Sequence, residues 1–187
     1  MTGLLETQIE DILIENLGFI EPNLKLLNRQ FNTCHDGCKF ETRHIGPHKG
    51  CKGKIDILCL DKSNNLVVIE LKRTANRSSV SQVCKYPTLL KHIFPLYKGN
   101  IKTIICCLKS TKETPSLCKE NEVKYIELNY ESLIKAYELL LKNKSYSFDY
   151  NSTFLKSHRL FKEFCKLYPT KTFNQNLKLL LSIESNY

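Results

Sequence analysis

Two short apolar runs in this chain each carry charge where a buried strand has no need of it. The first is Gly53-Lys54-Ile55-Asp56-Ile57-Leu58, and the second is Val67-Val68-Ile69-Glu70-Leu71-Lys72-Arg73. Alternate residues of a strand share a face, so Glu70 and Lys72 project together from an otherwise apolar segment. Burying a carboxylate and an ammonium is costly unless a partner or a metal offsets the lost hydration. The turn-forming cluster Asp61-Lys62-Ser63-Asn64-Asn65 separates the runs, which predicts a hairpin that sets Asp56 beside Glu70. Two such carboxylates form a pocket of hard oxygen donors suited to Mg²⁺ or Mn²⁺. With Lys72 beside them, the set matches what phosphodiester hydrolysis requires. A metal polarises the phosphate and acidifies a water, and a cation orients that water and meets the developing charge. The competing reading is an exposed strand with an ordinary Glu70–Lys72 ion pair. It fits poorly with Val67, Ile69 and Leu71, which mark a covered strand.

The elements that must hold these residues follow from periodicity. Residues 4–17 place Leu5, Ile9, Ile12 and Leu13 at helical spacing with Glu6, Glu10, Asp11 and Glu15 between them, predicting an acidic amphipathic helix. Gly18 suits a helix end, and a strand is expected over 26–31. Residues 32–53 break the apolar rhythm and concentrate Cys, His, Gly and Lys, as an irregular insertion would. After the hairpin strands 55–60 and 66–71, the pattern predicts a helix over 78–94 in spite of Pro87. A buried strand over 100–108, a short helix over 115–120, a strand over 123–128 and a helix over 130–142 follow. This order describes an α/β sandwich with a central mixed sheet flanked by helices. Residues 143–152 read as a linker to a basic helical tail at 153–187. The expected division is a catalytic domain at 1–145 and a helical extension at 146–187.

A formal net charge of +9, from 28 Lys and Arg against 19 Asp and Glu, suits a polyanionic partner such as DNA. An anionic membrane surface would also suit that charge. However, no apolar run reaches the roughly 18 residues of a bilayer span, and residues 1–17 are acidic, unlike a signal peptide. Several of the nine cysteines fall inside apolar runs (Cys59, Cys106, Cys107), where a reduced thiol serves as a small hydrophobe. A soluble cytoplasmic protein in a reducing compartment, with no membrane partner, is expected.

Residues 6–128 resemble the catalytic domain of the NucS/EndoMS endonucleases, members of the PD-(D/E)xK nucleases with a restriction-endonuclease-like core. The resemblance rests on Glu6-Thr7-Gln8-Ile9-Glu10, Ile20-Glu21-Pro22-Asn23-Leu24, Gly53 to Leu58, Leu66 to Arg73, Ser81-Gln82-Val83-Cys84-Lys85-Tyr86 and Tyr125-Ile126-Glu127-Leu128. It implies a Mg²⁺-dependent endodeoxyribonuclease with Asp56, Glu70 and Lys72 as catalytic residues. Glu6, with Glu10 as the alternative, is then the helix carboxylate facing the metal, and Gln82 and Tyr86 are accessory residues. The metal ligands are Asp56, Glu70 and the backbone carbonyl of Leu71. Four residues apart, Gln82 and Tyr86 share one face of the expected helix and reach a common group. Spacing alone fits a half-buried tyrosine with a polar neighbour equally well. Mismatched, branched or single-stranded DNA is the expected substrate. Family members carry a DNA-binding domain ahead of the catalytic one, and few residues precede Glu6, so the choice among these substrates stays open. The alternatives are a sequence-specific restriction endonuclease on the same core, and a DNA-binding module that does not cut. A homodimer would let two centres cut both strands.

The chain departs from the family at the insertion, which holds Cys34, Cys38, His48 and Cys51 within eighteen residues. Four thiolate and imidazole donors close a tetrahedral structural Zn²⁺ site, with His44 or His35 able to replace His48. Free thiols or a disulfide are the alternatives. Lys39, Arg43, Lys49, Lys52 and Lys54 give this loop a basic surface.

Overall fold

A computed structural model describes residues 4–33, 41–42, 46–47, 53–144 and 150–168. Helix α1 (Glu6–Glu15) is followed by a 3-10 turn (Leu17–Phe19), β1 (Lys25–Asn32) and two short strands, β2 (Glu41–Thr42) and β3 (Gly46–Pro47), paired with each other. Next come β4 (Lys54–Leu60), β5 (Leu66–Ala75), α2 (Arg77–Val83), α3 (Tyr86–Ile93), β6 (Ile101–Ser110), α4 (Thr114–Glu120) and β7 (Lys124–Glu127). Helices α5 (Tyr130–Lys144) and α6 (Tyr150–Leu167) complete the order.

The main sheet has the order β1-β4-β5-β6-β7. β1, β4 and β5 are antiparallel, whereas β5, β6 and β7 run parallel. The sheet is therefore mixed, and its β5–β6–β7 half reaches parallel pairing through the α2–α3 and α4 crossovers. Alternation along β5 divides the core. Leu66 and Val68 face a cluster with Val80, Val83, Leu90 and Phe94, while Val67, Ile69 and Leu71 face a second cluster with Ile9, Ile12, Leu13 and Leu133. Helices thus cover both faces, α1 and α5 on one side and α2, α3 and α6 on the other.

The β4–β5 turn is built on Asp61, which accepts hydrogen bonds from the Ser63 and Asn65 backbone N–H groups (2.8 and 2.9 Å) and from Asn65 Nδ2 (2.9 Å). Asn64 supplies the left-handed residue at φ 60°, a conformation asparagine tolerates.

The structure departs from the single helix expected over 78–94. The segment is two helices with a break at Cys84 and Lys85. Pro87 has no N–H to donate and would clash in a helix interior, so it sits in the first turn of a new helix, where no donor is required. The described part of the basic extension is helical, as α6, and packs on the core: Phe161, Phe164 and Cys165 are buried against Phe31, Phe94 and Tyr97. The cysteines at 59, 106 and 107 are buried free thiols, and burial pushes the Cys106 thiol up to about 12. No helix among the described residues is long and apolar enough to cross a membrane.

Candidate active site

Paired residues of β4 and β5 end at Ile57 and Ile69, although β4 begins at Lys54 and β5 runs on beside β6 to Ala75. Beyond that point the strands part, and the first residues past the last pair are Asp56 and Glu70. β4 also switches faces here, since Ile55 lies in the core cluster of α3 and α6 while Ile57 lies in that of α1 and α5. Asp56 occupies the switch. Its Oδ2 accepts from the Leu71 N–H across the gap at 2.8 Å.

Glu70 and Lys72 follow β5 alternation onto the α2–α3 face. The Lys72 ammonium donates to Glu70 Oε1, and the Tyr86 hydroxyl lies 3.0 Å from Glu70 Oε2 and 2.9 Å from the Lys54 carbonyl. Gln82 Nε2 donates to the same hydroxyl at 2.8 Å. Gln82 and Tyr86 therefore meet across the α2–α3 junction rather than along one helix face. Gly53 makes this packing feasible, because a Cβ there would stand 3.1 Å from Tyr86 Cε1 and 3.0 Å from Thr33 Oγ1.

The electrostatics follow from this geometry. Burial and the Asp56 charge push the Glu70 carboxyl up to about 7, outweighing Lys72 and Tyr86. Asp56 is also raised, by burial and the charge of Glu6, against the Leu71 N–H, Lys72 and a hydrogen bond from Gln30. Burial disfavours the Lys72 ammonium, but Glu70, Asp56 and Glu6 together raise its pKa. Two desolvated carboxylates, with the Asp56 charge opposing ionisation of Glu70 and one cation paired to Glu70, form a site that a divalent ion would relieve. Asp56, Glu70 and the Leu71 carbonyl are hard oxygen donors that fit Mg²⁺, an ion that keeps several waters. Among the described residues no group of three or more His, Cys, Asp or Glu side chains is assembled for a metal, so the remaining ligands would be backbone oxygen and water.

The two candidate helix carboxylates differ in surroundings. Glu6 opens α1, is exposed, and accepts from the Arg73 N–H at 2.9 Å. Glu10 is 3% exposed and accepts from Arg29 Nε at 3.1 Å and from Gln30 Nε2. Sequence reasoning missed Gln30. A lone glutamine in a strand carries no periodic signal, and only its backbone marks it out, with φ at 52°. Cys34, Cys38, His48 and Cys51, together with His35 and His44, lie outside the described residues.

A family model described as the endonuclease NucS C-terminal domain matches residues 47–144. The chain belongs to this family. Endonuclease NucS of Corynebacterium efficiens is 24% identical over 139 residues, covering 73% of this chain and 52% of that protein. The crystal structure of a repair endonuclease from Pyrococcus abyssi superposes with a TM-score of 0.50 at 25% identity, over 70% of this chain and 49% of that one. An EndoMS–dsDNA complex gives a TM-score of 0.49 at 23% identity, over 67% and 44% of the two chains. The chain spans about half the length of the relatives it matches. The NucS family match includes Asp56, Glu70, Leu71, Lys72, Gln82 and Tyr86 but begins after Glu6, Glu10 and Gln30.

Proposed function

We propose that this chain is a metal-dependent endonuclease domain that hydrolyses DNA phosphodiester bonds at the opening between β4 and β5. The observation that carries this reading is the convergence of Asp56, Glu70 and Lys72 where the two strands part. Membership of an endonuclease family supports it.

Asp56, Glu70 and the Leu71 carbonyl would hold Mg²⁺ or Mn²⁺. The ion supplies charge neutralisation at the scissile phosphate and acidifies an attacking water. Lys72 orients that water and stabilises charge as the new water–phosphorus bond forms and the bond to the leaving deoxyribose oxygen breaks. Tyr86 holds Glu70 in position, since its hydroxyl reaches the carboxylate oxygen that Lys72 does not, and Gln82 steadies that hydroxyl by donating to it. Glu6 adds negative charge to the pocket from α1. Mismatched, branched or single-stranded DNA is the proposed substrate class and a homodimer the proposed assembly. A structural Zn²⁺ on Cys34, Cys38, Cys51 and His48 is proposed for the insertion from the sequence alone.

Purified protein incubated with Mg²⁺ and a panel of duplex, mismatched, flap and single-stranded DNAs tests the reading. Cleavage of at least one substrate is expected, stopped by EDTA and restored by Mg²⁺ or Mn²⁺. Asp56→Ala, Glu70→Ala and Lys72→Ala should each abolish it while leaving DNA binding largely intact, because binding rests on distributed phosphate contacts. Retained cleavage in any two of these variants would sink the assignment.

A further inference from the structure

Consecutive residues of a strand point to opposite faces, yet Arg29 and Gln30 of β1 both reach Glu10 on α1. The backbone at Gln30 accounts for it. Arg29 stands opposite Ile57, which lies in the core cluster of α1 and α5, whereas Phe31 stands opposite Ile55 and lies with it in the cluster of α3 and α6. Residues two apart on a regular strand share a face, so β1 changes faces at Gln30. Among the described residues other than glycine, Asn23, Gln30, Asn64 and Glu122 have positive φ, and of these Gln30 alone sits inside a strand, at 52°. For a side chain with a Cβ that conformation is strained. What the strained backbone achieves is visible in the hydrogen bonds. The Gln30 carboxamide donates to Glu10 Oε2, while Arg29 Nε donates to Glu10 Oε1 at 3.1 Å.

Both oxygens of a buried helix carboxylate are thus held by the sheet. Arg29 is fixed in turn by Asp11 Oδ1 at 3.1 Å, so two successive residues of α1 are pinned to two successive residues of β1. Ile9, Ile12 and Leu13 bury the helix in the core, but apolar contact is non-directional and tolerates small slides along the axis. The bond from Gln8 Nε2 to the Tyr137 hydroxyl joins α1 to α5 and not to the sheet. One turn before Glu10, and so on the same side of α1, Glu6 Oε1 accepts from the Arg73 N–H at 2.9 Å. Alternate N–H groups of a strand point to one edge, and those of Leu71 and Arg73 face the edge that β4 has left. Asp56 fills the first vacated place and Glu6 the second.

We infer that Glu10, clamped by Arg29 and Gln30, is a positioning residue that sets where α1 lies along the sheet and so seats Glu6 on the Arg73 N–H, directly after Lys72 at the opening between β4 and β5. This rests on the proposed function, and it gives Glu10 and Gln30 no contact with metal or DNA. The clamp holds a helix, so its loss acts on the site through Glu6.

Two variants open the clamp from opposite sides. Glu10→Gln keeps the shape of the side chain but turns one acceptor into a donor, which then faces Arg29 Nε or Gln30 Nε2, both donors themselves. Gln30→Gly accepts the left-handed conformation without strain and removes the amide. Amide hydrogen exchange of the metal-free full chain, read residue by residue by NMR, is the primary measurement. Glu6→Ala gives the rate of an Arg73 N–H that has lost its acceptor. A lost hydrogen bond to a charged group shifts a local opening by about tenfold or more, so Arg73 should exchange at least about tenfold faster in both variants than in wild type. The amide of Ile105, buried in β6, should keep its rate, whereas a variant that is merely less stable would speed both. In cleavage assays kcat should fall by about tenfold or more while KM for DNA stays unchanged, as expected when a group at the reacting centre is displaced. Unfolding curves identify any variant that does not fold, and the other then decides. If Arg73 in a folded variant exchanges within about twofold of wild type, the clamp does not seat Glu6 and the inference is overturned. Faster exchange with unchanged kcat would overturn it too, because α1 would then shift without effect at the opening. A wild type that cuts no DNA overturns the proposed function, while the exchange rates still decide whether the clamp seats Glu6.

Discussion

Glu70 is fully buried, and its carboxyl is pushed up to about 7 by that burial and by the neighbouring Asp56 charge. An ordinary glutamate, including Glu70 in the unfolded chain, titrates near 4.3. Between these two values the folded protein binds a proton that the unfolded chain has released, so folded stability falls as pH rises through this window. Urea unfolding of the metal-free protein should show this loss between about pH 4.5 and pH 7, with the cost persisting above it. Glu70→Gln cannot ionise and should flatten the profile. Mg²⁺ favours the ionised carboxylate, so added Mg²⁺ should stabilise the wild type more at pH 8 than at pH 5 and should do much less for Glu70→Gln. Identical pH profiles for wild type and Glu70→Gln would show that Glu70 is not the group that titrates.

Strands β4 and β5 were legible because their signal is strong and local. Apolar alternation, a turn cluster and misplaced charges point the same way, and the residues so singled out do meet at the parting of the strands. The break between α2 and α3 was harder to see, because one proline fits either a kinked helix or the first turn of a new one. Gln30 was invisible, since left-handed backbone at a glutamine has no sequence signature. The packing face of α6 was overlooked for another reason. Its lysines and arginine dominate the composition, yet Phe161, Phe164, Cys165 and Tyr168 recur at the i, i+3, i+4, i+7 spacing of a buried face, and that signal was available. The consequence is measurable. Phe164 is 4% exposed, with ring centroids 5.1 Å from Phe94, 5.8 Å from Tyr97 and 4.8 Å from Tyr168. Phe164→Ala should therefore cost about 3–5 kcal/mol of folding stability, read from denaturant midpoints. A loss within about 0.5 kcal/mol, as at an ordinary surface position, would show that Phe164 adds little to the core.

For the molecule as a whole, the proposed function raises the question of how a chain of net charge +9 would bring a polyanion to a pocket that is locally acidic. On that proposal Asp56, Glu70 and Glu6 would repel phosphate until a cation is bound, so affinity would have to come from around the pocket. Lys54 lies two residues before Asp56, Arg73 directly follows Lys72, and Lys85 directly precedes Tyr86. All three are exposed, and they sit on β4, β5 and the α2–α3 junction, the segments that frame the opening. Each phosphate neutralised by the protein contributes about 0.9 to the slope of log affinity against log salt, so roughly four of them imply a fall of about a hundredfold between 50 and 200 mM salt. Duplex binding measured without divalent metal across that range should show a steep negative slope. Removing Lys54, Arg73 and Lys85 together by alanine substitution should lower the slope by about 0.9 for each phosphate left without its cation. Asp56→Asn should leave the slope unchanged and strengthen binding at low salt, because it removes a repulsive charge without touching any group that holds a phosphate. If the triple variant keeps the wild-type slope, phosphates are held elsewhere on the basic surface, and the opening between β4 and β5 is not where the duplex approaches.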